Sequence, residues 1–186
     1  MAVTISNIII GAGNLYISST STLLEIITNS TNPPLNNYHV GATMDGVSVE
    51  YAPDYIDITV DQLKDAAKIF DDGYKLTVST NLAEATLDNL KVAWNMLDSN
   101  VTTTSNTKTL SLPIKGDTPT ERKLLVIGKS PVGLERRYFA RRAISIDASS
   151  HALKRSEATM FPVAFRLLPD PVYSNAEYGF IQDTLA

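Results

Sequence analysis

Few residues in this chain have the chemistry of a reactive or metal-binding site. His39 and His151 are its two imidazoles. Both lie in polar, loop-like contexts without Asp, Glu or a second His at metal-ligand spacing, so a structural or solvated role is expected. The same scarcity argues against a Ser-His-Asp site. Gly128-Lys129-Ser130-Pro131-Val132-Gly133 has the wrong spacing for a nucleophile elbow and reads as a turn after a strand. Gly11-Ala12-Gly13 follows an apolar run, as a dinucleotide-binding loop would. Tyr16, however, stands where the third glycine belongs, and strand-like residues follow. Asp54, Asp57 and Asp61 lie close together but lack the glycine and distal Glu of a calcium loop, so they are expected to form a solvated acidic face. Cysteine is absent, which removes disulfides, thiolate metal sites and a cysteine nucleophile. No cofactor or metal is expected, and no catalytic set emerges.

The conspicuous charged cluster is Arg136, Arg137, Arg141 and Arg142, interleaved with Tyr138 and Phe139. Arginines with aromatics can bind nucleic acid, but the chain is acidic, with a net charge of -4. On a strand, Arg137 and Arg141 share one face while Arg136 and Arg142 share the other. Ion pairs within the fold or across a subunit contact are favoured over nucleic-acid binding.

Charge is unevenly spread along the sequence. Met1 to Leu63 holds no Lys or Arg but six acids, whereas Lys115 to Arg155 holds ten bases and four acids. Opposite patches of this kind would favour head-to-tail stacking of subunits. The alternative is that the two segments neutralise each other within one chain.

These residues must be positioned by elements that are largely strands. At 186 residues the chain fits one domain with a real core. Period-two alternation marks Val47, Val49 and Tyr51; Ile56, Ile58 and Val60; Tyr74, Leu76 and Val78; and Phe161, Val163, Phe165 and Leu167. Each predicts a strand with one buried and one polar face. Leu110, Leu112 and Ile114 suggest another, and Leu124 to Ile127 a strand buried on both faces. Ile8-Ile9-Ile10 and Leu15-Tyr16-Ile17 flank Gly11-Ala12-Gly13, read as a bend or bulge. One helix is expected, capped by Asn81 with Glu84 and anchored by Leu87, Leu90 and Trp94, with Leu97 continuing the stripe. A weaker helical pattern, Leu63, Ala66, Ala67 and Phe70, reads equally as an irregular connector. Long loops are expected near 18–46 and 99–107, the first including Pro33-Pro34. Many strands with one flanking α-helix indicate a mainly β fold, an antiparallel β sandwich or barrel with long loop arms. No run of about 18 apolar residues predicts a membrane span. Met1 to Ile5 lacks the basic stretch of a secretory signal, so use without export is expected.

The order of several stretches resembles the tail tube (major tail) proteins of tailed bacteriophages. They are Gly41-Ala42-Thr43-Met44-Asp45-Gly46 before an alternating strand, Ile58-Thr59-Val60-Asp61-Gln62, and Val78-Ser79-Thr80 running into Leu82-Ala83-Glu84-Ala85-Thr86-Leu87 and Leu90. Arg142-Ala143, Pro162-Val163-Ala164-Phe165, Leu168-Pro169-Asp170 and Gly179-Phe180-Ile181-Gln182-Asp183 follow. Together they span residues 41 to 183. The resemblance implies a single tail-tube-like domain over 1–186, without enzymatic activity. Six subunits would form a ring around a continuous inner barrel, and rings would stack into a hollow tube in the virion after assembly in the host cytoplasm. The implied partners are other copies of the chain, the tape measure protein, and the tail terminator and distal tail or baseplate proteins. DNA would pass through without specific binding. On this reading Asp45, Val47, Val49, Tyr51, Asp54, Ile56 and the four arginines are candidate inter-subunit contacts, with ring-to-ring loops around Gly41 to Val60. A different class, a β-sandwich binding module such as a capsid decoration or adhesin domain, fits the same strand pattern.

Overall fold

A computed structural model describes residues 12–18, 39–61, 65–113, 119–131, 134–147, 159–173 and 175–185. The fold is mainly β and antiparallel, with one short helix. The strands are β1 (Asn14–Ser18), β2 (Thr43–Ile58), β3 (Lys68–Leu82), β4 (Val101–Thr103), β5 (Lys108–Leu110), β6 (Arg122–Lys129), β7 (Glu135–Ser145), β8 (Phe161–Leu168) and β9 (Gly179–Asp183); helix α1 is Leu87–Ala93. One seven-stranded sheet runs β1-β6-β7-β8-β3-β2, with β9 also on β7, and β4-β5 forms a separate hairpin. The second edge of β7 is shared: Arg136–Ala140 pairs with β9 and Arg142–Ser145 with β8.

The continuous apolar run of β6 is buried on both faces, as its sequence predicts. Leu124 and Val126 join Leu15, Ile17, Phe161, Val163 and Phe165 in the main core, while Leu125 and Ile127 pack with Tyr16 and Phe139 on the other side. Alternation places Phe161, Val163 and Phe165 inward on β8. The sheet curls, so that its two end strands approach each other: a side chain on Gly13 would meet Val126 and the Val47 Cγ2 atom of β2.

Several expectations are corrected. The helix begins later than predicted, because Asn81 is still a β3 residue opposite Pro162. Thr86 is the N-cap, and its Oγ1 accepts from the Asn89 N–H at 3.2 Å. Glu84 instead reaches back across the chain and accepts from the Ala42 N–H. The helix spans seven residues and buries Asn89, Val92 and Ala93. Leu90 and Trp94 pack half-buried against the core, Leu87 is half-buried, and Leu97, beyond the helix end, is exposed. Ala66 lies outside any element and Phe70 lies in β3, so the weaker helical pattern is a connector running into strand; Leu63 lies outside the described residues. Thr43 to Ile58 is one strand rather than loop, and the 99–107 segment contains β4 and the turn of its hairpin to β5. Lys108–Leu110 forms β5, but Leu112 lies past its end and Ile114 is outside the described residues, as are His151 and Ile8-Ile9-Ile10.

Candidate interaction surface

β3 pairs with β8 only over Thr77–Leu82. Beyond that point Tyr51–Ile58 and Lys68–Leu76 continue as a two-stranded ribbon. No other described strand pairs with either side of it, so it extends roughly 25 Å past the sheet at about 3.3 Å per residue. The two predicted strands around Val49 and Ile56 are therefore one, and their apolar side chains fall on opposite faces. The register shifts where Asp54 faces Gly73 and Tyr55 faces Asp71, so the extra residue, Asp72, belongs to β3. Alternation on β2 runs through unbroken. Val49, Tyr51 and Tyr55 consequently continue the core face, whereas Ile56 and Ile58 lie on the reverse, opposite Phe70 and Lys68.

Both faces carry exposed apolar side chains. On the first, Tyr51, Tyr74 and Tyr178 form a row with ring centroids 5.1 and 5.0 Å apart. Partial desolvation, and after it the negative charge of neighbouring Tyr55, Asp71 and Tyr74 in their ionised forms, raises the Tyr51 phenol above its ordinary value. On the second, the Lys68 ammonium lies 4.5 Å over the Phe70 ring. Tyr51 is 58% exposed, Ile56 50% and Ile69 61%. Thus the sequence signal for buried faces is overturned over much of the ribbon: the alternation is real, but Tyr51, Ile56 and Ile69 stay exposed within one chain. Residues 45–75 carry eight acids against three lysines, and Asp54 pairs with Lys75 at 3.6 Å with both side chains half exposed.

Of the other predicted contact residues, Val47 packs against the core. Asp45 sits with Gly46 in a bulge where both have positive φ, and its carboxylate accepts from the Asn81 amide. The predicted facial arrangement is corrected for one pair: a bulge sets Leu124 opposite Ala140 but Arg122 opposite Ala143, both alanines lie in the main core, and Arg142 therefore does not share a face with Arg136. All four arginines are paired within the chain. Arg136 grips Asp183 of β9 through two bonds of 2.5 and 2.6 Å, which raises the guanidinium's pKa and lowers the carboxyl's. Arg142 holds Glu121 through two bonds of 2.7 and 2.6 Å and also donates to the Pro169 carbonyl. Arg137 pairs with Glu135, and Arg141 with Glu177 while lying 3.5 Å over the Tyr173 ring. Arg136, Arg137, Arg141 and Arg142 thus meet Asp183, Glu135, Glu177 and Glu121 respectively.

Two further polar anchors carry no local sequence signal. Arg122 is buried, donating to the Met96 carbonyl and to Asp98, so β6 clamps the segment that follows α1. The Asn89 amide donates to the Val40 and Glu84 carbonyls, each at 2.8 Å. His39 has the structural role expected: Nδ1 accepts from the Gly41 N–H, and the ring meets Tyr16 edge-on. Asp57 lies in the ribbon and Asp61 in the turn after it. Among the described residues no three His, Asp or Glu side chains gather as a metal site would require. No helix among them is long and apolar enough to cross a membrane.

An apolar groove of about 420 Å³ opens on the concave side of the sheet, bounded by Val49, Leu76, Val126, Tyr138 and Ile181. Fold and surface together define an antiparallel β protein with a projecting ribbon that carries exposed apolar side chains. Comparison of the sequence with models of known families and with curated proteins finds no match.

Proposed function

We propose that the chain is a structural subunit of a phage tail tube, forming hexameric rings that stack into a hollow conduit for DNA ejection. The observation that carries this reading is the β2–β3 ribbon. Two unpaired strand edges and apolar side chains on both faces are a liability for an isolated chain and a joint for an assembling one. Neighbouring copies would cover it. Its acids would suit a wall along which DNA slides, and the in-chain pairing of the arginines removes the main candidate for DNA binding. The tape measure protein, the tail terminator and the distal tail or baseplate proteins are the further partners on this reading. The virion is its location, and no catalytic activity is assigned.

The test is electron microscopy of concentrated, purified protein. Rings or tubes are expected; a strictly monomeric sample, with and without tail partners, would count decisively against the proposal. A binding module of the decoration or adhesin type, for which the apolar groove is the supporting feature, expects a stable monomer or trimer without open-ended stacking. The same micrographs separate the two.

A further inference from the structure

β8 and β9 are successive lengths of one edge strand. β8 follows β7 from Phe165 opposite Ser145 to Leu168 opposite Arg142. β9 takes up the same edge in the same direction, from Gly179 opposite Ala140 to Asp183 opposite Arg136. At the junction the Arg141 N–H donates to the Tyr178 carbonyl. Ten residues, 169–178, leave the edge after β8 and return to it for β9.

Among the described residues β9 pairs with no strand but β7. Its anchors lie there too: Asp183 is held by Arg136, Phe180 stacks on Phe139 at 5.2 Å, and the Thr184 N–H donates to the Glu135 carbonyl. Any copy of β7 offers the same set. The connector, in turn, favours opening. Pro169 and Pro171 bias the residues before them, Leu168 and Asp170, toward extended backbone. The return is closed by bonds from the Asp170 N–H to the Glu177 carbonyl and from the Ala176 N–H to the Tyr173 carbonyl, each 3.0 Å. Asn175 and Ala176 there have φ of +69° and +50°. Asparagine tolerates that left-handed region, but alanine is strained in it, and extension releases the strain.

We propose that β9 exchanges between copies, the C-terminal strand of each chain completing the β7 edge of a second copy. Reach suffices, since ten extended residues span up to about 35 Å. The exchanged contacts are those already made within one chain, so a second copy is the partner that needs no new surface. Strained hinges invite such exchange. The tether favours the closed form in dilute solution, and exchange is expected once copies meet at the millimolar local concentrations that a short linker provides. The inference goes beyond the tail-tube reading and does not require it, since any association of copies permits it.

The chain has no cysteine, so introduced pairs report contact without background. The bonds joining Arg141 to Tyr178 and Thr184 to Glu135 make Tyr138–Ile181 a non-hydrogen-bonded pair. Cα atoms of such a pair lie about 4.5 Å apart, which suits a disulfide. Tyr138→Cys and Ile181→Cys single variants are co-refolded at high concentration and oxidised. A disulfide between positions 138 and 181 of different chains is expected, as a covalent dimer identified by peptide mass spectrometry. Its absence would overturn the proposal. Arg136→Asp and Asp183→Arg separate exchange from side-by-side packing. Each alone sets like charges against each other within its chain, whereas a mixture restores opposite charges only across chains. The co-refolded mixture should melt several degrees above either variant alone; a midpoint no higher than theirs would refute exchange. Electron micrographs of the oxidised samples keep the two readings apart. Tubes without the 138–181 link would overturn exchange and leave the tube reading, and the link in small oligomers without tubes would do the reverse.

Discussion

Gly179 is a residue whose replacement the backbone does not permit. It pairs with Ala140, and its φ is +157°. An added Cβ would lie 1.8 Å from the Phe139 carbonyl oxygen. Gly179→Ala should therefore destabilise the protein by at least ~1–3 kcal/mol through forced separation of β9 from β7. Gly128→Ala, where a Cβ meets nothing within 4 Å, should shift the urea midpoint far less. A residue-scale pH effect follows from Asp98. Burial would raise its carboxyl, but Lys91 at 2.8 Å and Arg122 at 3.4 Å outweigh that and hold it below the ordinary value of 3.8. A depressed folded-state value means that its stabilisation is complete above the unfolded-state value and is lost as pH falls through the folded one. With the carboxylate 45% exposed, screening keeps this to at most ~1 kcal/mol. Asp98→Asn should reduce stability at pH 7 and flatten the loss of stability below about pH 4, measured by thermal melts across the acid range. Neither position was legible from the sequence. The Gly179 constraint arises from a neighbouring strand, and the Asp98–Arg122 contact joins residues far apart in the chain.

At the scale of elements, alternation and apolar runs mark parts of β2, β3, β6 and β8, because a sheet's side-chain period does not depend on which strand lies next door, whereas the short strands β4 and β9 carry no such signal. β6 and β8 were legible for that reason. The helix was legible as a stripe but not at its start. Asn81, Thr86 and Glu84 all qualify as capping residues, and pairing of β3 with β8 through Leu82 is what excludes Asn81. Thr86→Ala should accordingly lower stability by ~1 kcal/mol through loss of the bond to the Asn89 N–H. Asn81→Ala removes only an exposed contact with Asp45 and should fall within ~0.5 kcal/mol of the wild type. Equal losses in chemical denaturation would restore Asn81 as a cap. The ribbon shows the opposite limit of pattern reading. Val49, Tyr51, Ile56 and Ile58 alternate like half-buried strands, yet they are exposed, since alternation records that a face is to be covered and not by which molecule.

For the molecule as a whole, the sign of its salt response depends on where the charges end up. From sequence, the acidic N-terminal segment and the basic 115–155 segment would attract between subunits, and salt would slow assembly. Folding spends much of that basic charge: Arg122, Arg136, Arg137, Arg141 and Arg142 each have a carboxylate partner within the chain. The ribbon keeps a smaller acid excess, with Asp54, Asp57, Asp71 and Asp72 against Lys68 and Lys75. Ribbons that meet through Tyr51, Ile56 and Phe70 must then bring like charges together. Raising salt screens that repulsion over a Debye length of about 10 Å at 0.1 M and leaves the apolar attraction intact. Assembly followed by light scattering should therefore speed up between about 0.05 and 0.5 M salt. Asp57→Asn combined with Asp71→Asn should raise the low-salt rate toward the high-salt one. Tyr51→Asp combined with Ile56→Asp should abolish scattering at every salt concentration while changing the unfolding midpoint little, because both side chains are exposed in the single chain. Assembly that slows with salt would instead assign the contact to the remaining bases, and the ribbon would lose its place as the principal joint.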